Sequence, residues 1–572
     1  MFIILTGEEA GPISNKLGGV WNVIDAEARH MSAITDDEIV VVGPFFERIG
    51  QDWSPKNRVT KDHFPMNVRE EILRAAESVG IPFVAGKVEV EGRCGELNRE
   101  DGKKHYINYV LFNVEYCLTK SVEYDGKKMR LSDAVKAEAY RLVGLDSLKY
   151  ESQSYGREYT HYLNLSYAVS EFAKALNESG ETAMHCHEYP VFYAAARLEK
   201  LKVPVRTVVT FHATKVGRVL GARVFDRIRR NDPTLPDGIQ EGFVELEKLA
   251  RFADTVTFVS DKTRAEARLF YGVDGIVIRN GIDVCREAID WKFKDDCLKR
   301  IRETLAKKLK DVYGYEVEED SIVPVYTISR LELENKGYPD LLDSLVILDR
   351  ILTNRINNGE IDDVKVVCML ITAIGKKDPS SLPEGFPVDL PDEILVGDEL
   401  RLKKMVEERK IDVGRIGKRS VCALPYPQWV SRDDGGLGMT IDEIAAGCVA
   451  GIFPSRYEPF LLTALEACRE ACPVVISSAC GFSGAVKELQ KEKGIFGGVI
   501  LVDNVNQSYL EVIADYAFGL HVIIDAYLRD KAKDRMMCST AFVLACEMSW
   551  DEPVRRYYEV LKGFEEKPEM AA

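Results

Sequence analysis

The chain has 572 residues, 46% hydrophobic and 29% charged, with a formal net charge of −16. That length calls for two or three domains, because a single core stops growing well before it. The acidic balance argues against a nucleic-acid-binding surface or an anionic membrane surface, but not against a neutral polymer or a small anion in a local basic pocket.

The opening Met1-Phe2-Ile3-Ile4-Leu5 lacks a basic n-region and is cut short by Thr6-Gly7-Glu8, so it reads as a first buried strand and not a signal peptide. No run approaches the ~18 apolar residues of a membrane span, and a cytoplasmic location is expected. Thirteen cysteines are scattered and form no C-x-x-C pair, which reads as reduced buried thiols. After the first strand, Asn15-Lys16-Leu17-Gly18-Gly19-Val20-Trp21 carries paired glycines that let backbone N–H groups close on an anion, with Lys16 adding charge. A tight strand-to-helix turn explains the same glycines.

Short Val- and Ile-rich runs then alternate with longer amphipathic stretches. Strands are expected over 38–43, 205–211, 255–260 and 275–280, and a helix over 242–253 with Phe243, Leu246, Leu249, Ala250 and Ala253 on one face. This is the pattern of parallel sheets covered by helices. His185 and His187 alternate and so share one face of a strand. A metal site needs further ligands, none is spaced nearby, and no metal is expected. Glu188 follows them. His212 ends the 205–211 strand, with Arg218 shortly after, and a histidine there lies where open sheets bind ligands. A hydrogen-bonded core histidine fits equally.

From 285 to 320 the chain is highly charged and without a strand-like run, which suits a helical connection. Strands resume over 322–328, 364–370 and 473–477, and 378–398 is loop-like with four prolines. Two α/β domains joined near residue 300 follow, with a ligand in the cleft between them. Arg330 and Lys336 directly follow the 322–328 strand, two cations suited to a diphosphate leaving group. The run 449–454 leads into Ser455-Arg456-Tyr457-Glu458-Pro459-Phe460-Leu461-Leu462-Thr463-Ala464-Leu465-Glu466. Pro459 suits a first helical turn. That puts Glu458 at a helix start and Glu466 two turns on, roughly 12 Å away. Free N–H groups at the helix mouth and carboxylates at two depths fit a nucleotide sugar.

In order and nearly end to end, these motifs resemble the eukaryotic-type glycogen synthases among the retaining glycosyltransferases of the GT-B fold. The matching residues are Lys16 to Val20, Val42-Gly43-Pro44, His185 to Glu188, Thr210 to Thr214 with Gly217-Arg218, Asn280-Gly281, Arg330 with Asn335-Lys336-Gly337, Phe453 to Pro459, Cys480-Gly481-Phe482 and Ser549-Trp550-Asp551. The resemblance implies two doubly wound Rossmann-like α/β domains facing a cleft. The expected layout is an N-terminal acceptor-side domain (1–284), a charged helical connection (285–320), a C-terminal donor-side domain (321–545) and a final helix (546–572) crossing back to the first.

It further implies that Glu458 orients the donor glucose, Glu466 holds the ribose, and Arg330, Lys336 and Arg218 stabilise the departing phosphates. His212 would lie by the transferred sugar and Glu188 by the acceptor chain. Lys16, Gly18, Gly19, Asn280, Tyr457 and Thr463 would complete the donor site. Neither cofactor nor metal is expected, and closure of the cleft would bring the two sets of residues together.

Three departures stand out. Leu461 replaces a glycine usual in the family, Ile441 replaces an aromatic that stacks on uracil, and the arginine-rich sugar-phosphate-sensing helix, expected near 531–547, keeps one arginine in its 534–541 segment. Regulation by glucose 6-phosphate is therefore not expected. The leading expectation is transfer of glucose from UDP- or ADP-glucose to the non-reducing end of an α-1,4-glucan. A retaining transferase with a small acceptor, of the trehalose- or glucosylglycerate-forming type, and an inactive glucan-binding relative stand as alternatives. The donor base and the oligomeric state stay open, a homo-oligomer included.

Overall fold

The structure is a computed structural model that describes residues 1–11, 19–45, 64–90 and 104–564. The chain divides into two compact units, Met1–Cys285 with Ser549–Ala572, and Arg286–Met548. Each is built on one parallel or nearly all-parallel sheet.

In unit 1 the strands are β1 (Phe2–Thr6), β2 (Glu38–Pro44), β3 (Phe83–Glu89), β4 (Tyr106–Phe112), the hairpin strands β5 (Ser121–Tyr124) and β6 (Lys127–Arg130), β7 (Thr182–His187), β8 (Arg206–Phe211), β9 (Thr255–Phe258) and β10 (Ile276–Val277). Eight of them form a sheet in the order β10-β9-β8-β7-β1-β2-β4-β3, with only β3 antiparallel. Its central strands are apolar on both faces: all five residues of β1 are buried, as expected where helices cover both sides. The chain runs outward from β1 through β2 to β4, then restarts at β7 on the other side of β1. A topological switch point therefore falls between β1 and β7, where loops leave in opposite directions and open a crevice.

Unit 2 repeats the device. Its strands β11 (Ile322–Ile328), β12 (Lys365–Ile371), β13 (Val421–Tyr426), β14 (Ala450–Phe453), β15 (Val474–Ser477) and β16 (Val499–Val502) lie in the order β13-β12-β11-β14-β15-β16, all parallel. The switch point lies between β11 and β14. Helices Tyr338–Asn357 and Tyr509–Arg529 pack together over one face, where Leu341, Leu345, Leu348 and Leu352 join Val512, Tyr516, Leu520 and Ile524 in one core. The charged stretch after 285 contains the helix Trp291–Tyr313, amphipathic despite its charge: Cys297, Ile301, Leu305 and Leu309 recur every four residues and are buried within unit 2.

The last described helix is Asp551–Lys562, shorter than the expected 546–572, and it belongs to unit 1. It buries Val554, Tyr557, Val560 and Leu561 beside the helix Gly19–Ile34 and strands β7 and β8. Polar ties fix its two ends: His30 to Asp551 at 3.3 Å, the Arg206 Nε donating to the Val560 carbonyl at 2.7 Å, and Lys562 to Asp37 at 2.9 Å. Returning to unit 1, the chain pairs Ser549 with Ile282 as an isolated bridge. Gly281 makes that approach possible, since a Cβ there would stand 2.7 Å from the Trp550 backbone. Two sequence motifs, Asn280-Gly281 and Ser549-Trp550-Asp551, thus meet in one joint.

Among the described cysteines Cys285 departs from the expectation of reduced thiols: it is disulfide-bonded. The other described cysteines are free and, Cys546 apart, buried. Among the described residues no helix is long and apolar enough to cross a membrane.

The joint at Gly281 is testable. Gly281→Ala forces backbone against backbone, and the expected loss is about 2 kcal/mol or more. It should appear in urea unfolding as a lower midpoint, together with faster proteolytic release of the segment after Met548. An unchanged midpoint would refute the close approach.

Candidate functional site

In unit 2 the candidate residues gather on the two loops that leave the switch point. The loop after β11 carries Arg330, exposed and paired with Glu332 at 3.1 Å, then Leu333, which is buried and anchors the turn. It ends at Lys336 and Gly337. Gly337 has φ +69°, and a Cβ there would lie 2.1 Å from the Pro454 carbonyl oxygen, so the two loops touch through bare backbone.

The loop after β14 answers this contact. The Arg456 N–H donates to the Asn335 carbonyl at 2.8 Å. Its guanidinium grips Asp340 with two bonds of 2.9 and 2.5 Å and reaches Glu334 at 2.7 Å. Two parallel bonds to one carboxylate fix direction as well as distance. The result is that the Lys336 ammonium and the Glu458 carboxylate, 122 residues apart in sequence, form an ion pair. Both are largely sheltered, with Lys336 10% and Glu458 21% exposed.

One local expectation fails here. The helix begins at Leu462 and runs to Arg469, so neither Glu458 nor Pro459 is helical. Glu458 forms an isolated parallel bridge with Cys480, and its carbonyl accepts the Gly481 N–H at 3.1 Å. This strand-like pairing holds 458–460 extended and overrides the preference of Pro459 for a first turn. The turn into the helix falls on Leu461, at φ +94°, in the left-handed region that costs a bulky residue of order 1–3 kcal/mol.

Glu466 lies in the second turn, half-buried, and burial raises its carboxyl above the usual range despite Arg469 nearby. Thr463 is half-buried in the first turn and Tyr457 is buried behind the loop. Ile441 opens the helix Ile441–Gly447, capped by Thr440 and Glu443.

In unit 1, Glu188, His212 and Arg218 converge beside the β1–β7 switch point. Glu188 follows β7 at φ +69°, and its Oε1 accepts the Ala213 N–H at 2.7 Å. Burial pushes its carboxyl above the usual carboxylate range, against the opposing pull of Arg218. His212 directly follows β8 and is 8% exposed. The Thr214 hydroxyl caps the following helix, Lys215–Leu220, by accepting the Gly217 N–H at 2.8 Å; that helix carries Arg218. Asn280 lies after β10, at an edge of the sheet, buried with an Oδ1 that finds no hydrogen-bond partner. Gly19 opens the helix Gly19–Ile34, whereas Lys16 and Gly18 lie outside the described residues.

Sequence reasoning missed the buried centre of this unit. Glu27, fully buried, meets His185 Nδ1 at 2.7 Å and faces His187 Nε2 at 3.3 Å. Potential ligand atoms of Glu27, His185 and His187 lie within 4.8 Å of one another, so the third carboxylate or nitrogen that local spacing lacked comes from 158 residues away. A signal existed: Glu27 interrupts the apolar face of its helix between Ile24, Ala28 and Met31, all buried. Two more buried acids support the β8 loop. Glu266 accepts the Thr214 hydroxyl at 2.5 Å, and Glu247 accepts the Lys215 N–H at 2.8 Å.

Known proteins resemble this chain in sequence and in fold. The Glycosyltransferase Family 4 profile matches residues 146–286. The chain is 25% identical over 401 residues to a glycogen [starch] synthase of Dictyostelium discoideum, covering 57% of this chain and 44% of that one. It is 22% identical over 593 residues to glycogen [starch] synthase isoform 1 of Saccharomyces cerevisiae, covering 89% of this chain and 79% of that one. Among solved structures, an E. coli trehalose-6-phosphate structure bound with UDP-2-fluoro glucose superposes with TM-score 0.51 at 12% identity, over 98% of this chain and 99% of that one. That likeness speaks for the fold alone. Two doubly wound sheets with their loops at the switch points are the architecture of the GT-B glycosyltransferases. In sequence the chain is similar to glycogen synthases and, over residues 146–286, to Glycosyltransferase Family 4.

The buried acid Glu247 gives a pH-dependent test. Burial raises its carboxyl to about 8 from 4.5. A raised acid pKa means the folded state holds the proton more tightly, so its stabilisation is full below the unfolded value and is lost as pH rises toward about 8. Glu247→Gln keeps the acceptor for Lys215 and has no charge to desolvate. Urea midpoints at pH 5 and pH 8 should show the variant gaining on the wild type at the higher pH. The expected gain is about 1 kcal/mol or more, since a tenfold difference in proton affinity between the folded and unfolded states is worth about 1.4 kcal/mol. An equal difference at both pH values would show that Glu247 is ionised throughout.

Proposed function

We propose that this protein transfers glucose from UDP- or ADP-glucose to the non-reducing end of an α-1,4-glucan with retention of configuration. The observation that carries the proposal is the Lys336–Glu458 pair at the β11–β14 switch point, where open α/β sheets bind ligands. The named activity of relatives aligned over most of this chain supports it.

Lys336 and Arg330 supply positive charge for a departing diphosphate, the effect that dominates when charge develops on a leaving group. Arg330 is exposed and paired only with the partly exposed Glu332, while Lys336 is sheltered beside its carboxylate partner. Glu458, an acceptor-only group when ionised, takes hydrogen bonds from sugar hydroxyls and keeps Lys336 oriented. Glu466, one turn inside the helix Leu462–Arg469, is assigned to the ribose hydroxyls. In unit 1 we assign His212 to the transferred sugar, Glu188 to the acceptor and Arg218 to the phosphates. In the reaction the bond from C1 to the diphosphate oxygen breaks and the acceptor hydroxyl oxygen bonds C1 on the same face. Its proton passes to the leaving phosphate. No metal and no organic cofactor is assigned a role.

The test is incorporation of radiolabelled glucose from UDP-glucose and ADP-glucose, with and without glycogen. Label in ethanol-insoluble polymer supports the proposal. Soluble labelled product would replace it with a small-acceptor transferase, and glucan binding without turnover with an inactive relative. Within the active protein, Glu458→Gln should lower kcat by about 100-fold or more, the scale of losing one placed polar group, with an unchanged melting temperature. Near-wild-type turnover would remove Glu458 from the site.

A further inference from the structure

In the core of unit 1 two polar atoms face each other without a hydrogen bond. Glu27 Oε2 and His187 Nε2 stand 3.3 Å apart. Both are buried, and neither finds a hydrogen-bond partner among the described residues. The side chains of Glu27, His185 and His187 are all 0% exposed. Buried polar atoms are normally satisfied, so two that are left open and aimed at one another call for a third body that takes both lone pairs. A metal ion does this at the observed spacing. Two ligands of a tetrahedral zinc ion, each at about 2.0–2.1 Å, lie about 3.3 Å from each other.

His185 supplies a third ligand. One candidate atom from each of the three residues lies within 4.8 Å of the other two, and the Glu27 carboxylate reaches both rings, its Oε1 being 2.7 Å from His185 Nδ1. A metal-bound imidazole needs an acceptor for the N–H of its other nitrogen. Both rings have one. His185 Nε2 meets the Thr210 hydroxyl at 2.6 Å, and that hydroxyl contacts Thr257 in turn. His187 Nδ1 meets His212 Nε2 at 3.0 Å. The charged partners of Glu27 among the described residues are these two imidazoles alone, so a divalent ion would answer a carboxylate that no lysine or arginine pairs with. Two imidazoles and one carboxylate, without a thiolate, form a ligand set suited to zinc.

We propose that Glu27, His185 and His187 bind one divalent transition-metal ion, zinc by the ligand set, which fastens the helix Gly19–Ile34 to β7. The ion is structural and takes no part in the transfer of glucose. Ligands this deep take up their ion as the chain folds, so its binding free energy becomes folding free energy.

The untagged full-length protein, produced in medium supplemented with zinc, should carry about one equivalent of zinc by mass spectrometry. X-ray absorption at the zinc edge should show nitrogen and oxygen neighbours at about 2.0–2.2 Å and no sulfur near about 2.3 Å, which separates this site from the buried cysteines. Glu27→Gln, which cannot supply a charged ligand, should retain less than about a tenth of the wild-type zinc. Thr210→Val keeps all three ligands and nearly the same shape. It removes only the acceptor behind His185, and zinc affinity, read by competition with a chelator, should fall about 10- to 100-fold. Wild-type protein with less than about a tenth of an equivalent of any transition metal overturns the proposal, and sulfur ligation of the bound ion does the same. Unchanged zinc content in Glu27→Gln, or unchanged affinity in Thr210→Val, also overturns it. No readout uses a substrate, so the metal site and the proposed transferase activity stand or fall separately.

Discussion

Everything placed in the two candidate regions depends on where each sheet reverses its direction of construction. Adjacent parallel strands whose connections run to opposite sides leave their carboxyl ends uncovered, because no helix can cross the gap. In unit 2 the loops on either side of that gap must be held in register. They are held by backbone contact at Gly337 and Pro454 and by the Arg456 fork on Asp340. Lys336 and Glu458 meet only because those two contacts fix the loops first.

Unit 1 achieves the same rigidity by burying acidic side chains. Glu27, Glu188, Glu247 and Glu266 are all at most 7% exposed, and an isolated buried carboxylate costs several kcal/mol. Three of them are matched to the chain that follows β8: Glu188 to the Ala213 N–H, Glu266 to the Thr214 hydroxyl, Glu247 to the Lys215 N–H. Three consecutive residues thus each answer to a separate buried acid. A loop tied this way has one low-energy conformation, and His212 and Arg218, on either side of it, inherit its precision. Glu27 and Glu247 move in opposite directions for a physical reason: imidazole neighbours favour the carboxylate at the first, while burial dominates at the second.

Strand composition made much of the architecture legible. The run 322–328 reads as a strand and is one, and the runs near 38, 205, 255, 364 and 473 are strands to within a residue or two at most ends. Two strands of unit 2 that escape notice are at its edges. β13 is broken in pattern by Pro425, and β13 and β16 are the two edges of their sheet. The site was legible where chemistry is local, as at Lys336 and Glu458, and illegible where it is tertiary. Glu27 gains its meaning from histidines more than 150 residues away, and only its place on an apolar helix face betrays it. The helix start eludes local reading for the same reason, since the pairing of Glu458 with residues 479–481 is a contact between separate segments that outweighs the local preference of proline.

Leu461 brings these constraints to one residue. A glycine is usual there among the glycogen-synthase-like proteins that this chain resembles, and a leucine invites the expectation that the loop has changed shape. The backbone says otherwise: Leu461 keeps a left-handed conformation, φ +94° and ψ 60°, of the kind that glycine adopts without strain. The surroundings dictate it. The Phe460 carbonyl accepts the Phe482 N–H at 2.7 Å, the Glu458 carbonyl accepts the Gly481 N–H at 3.1 Å, and the helix must begin at Leu462. Residue 461 is left to make the whole turn. The leucine side chain is buried at 6% exposure, and its apolar burial, on the order of 2 kcal/mol, offsets strain of about the same size. The turn between Glu458 and Glu466 is therefore held by tertiary contacts against the preference of the residue that occupies it.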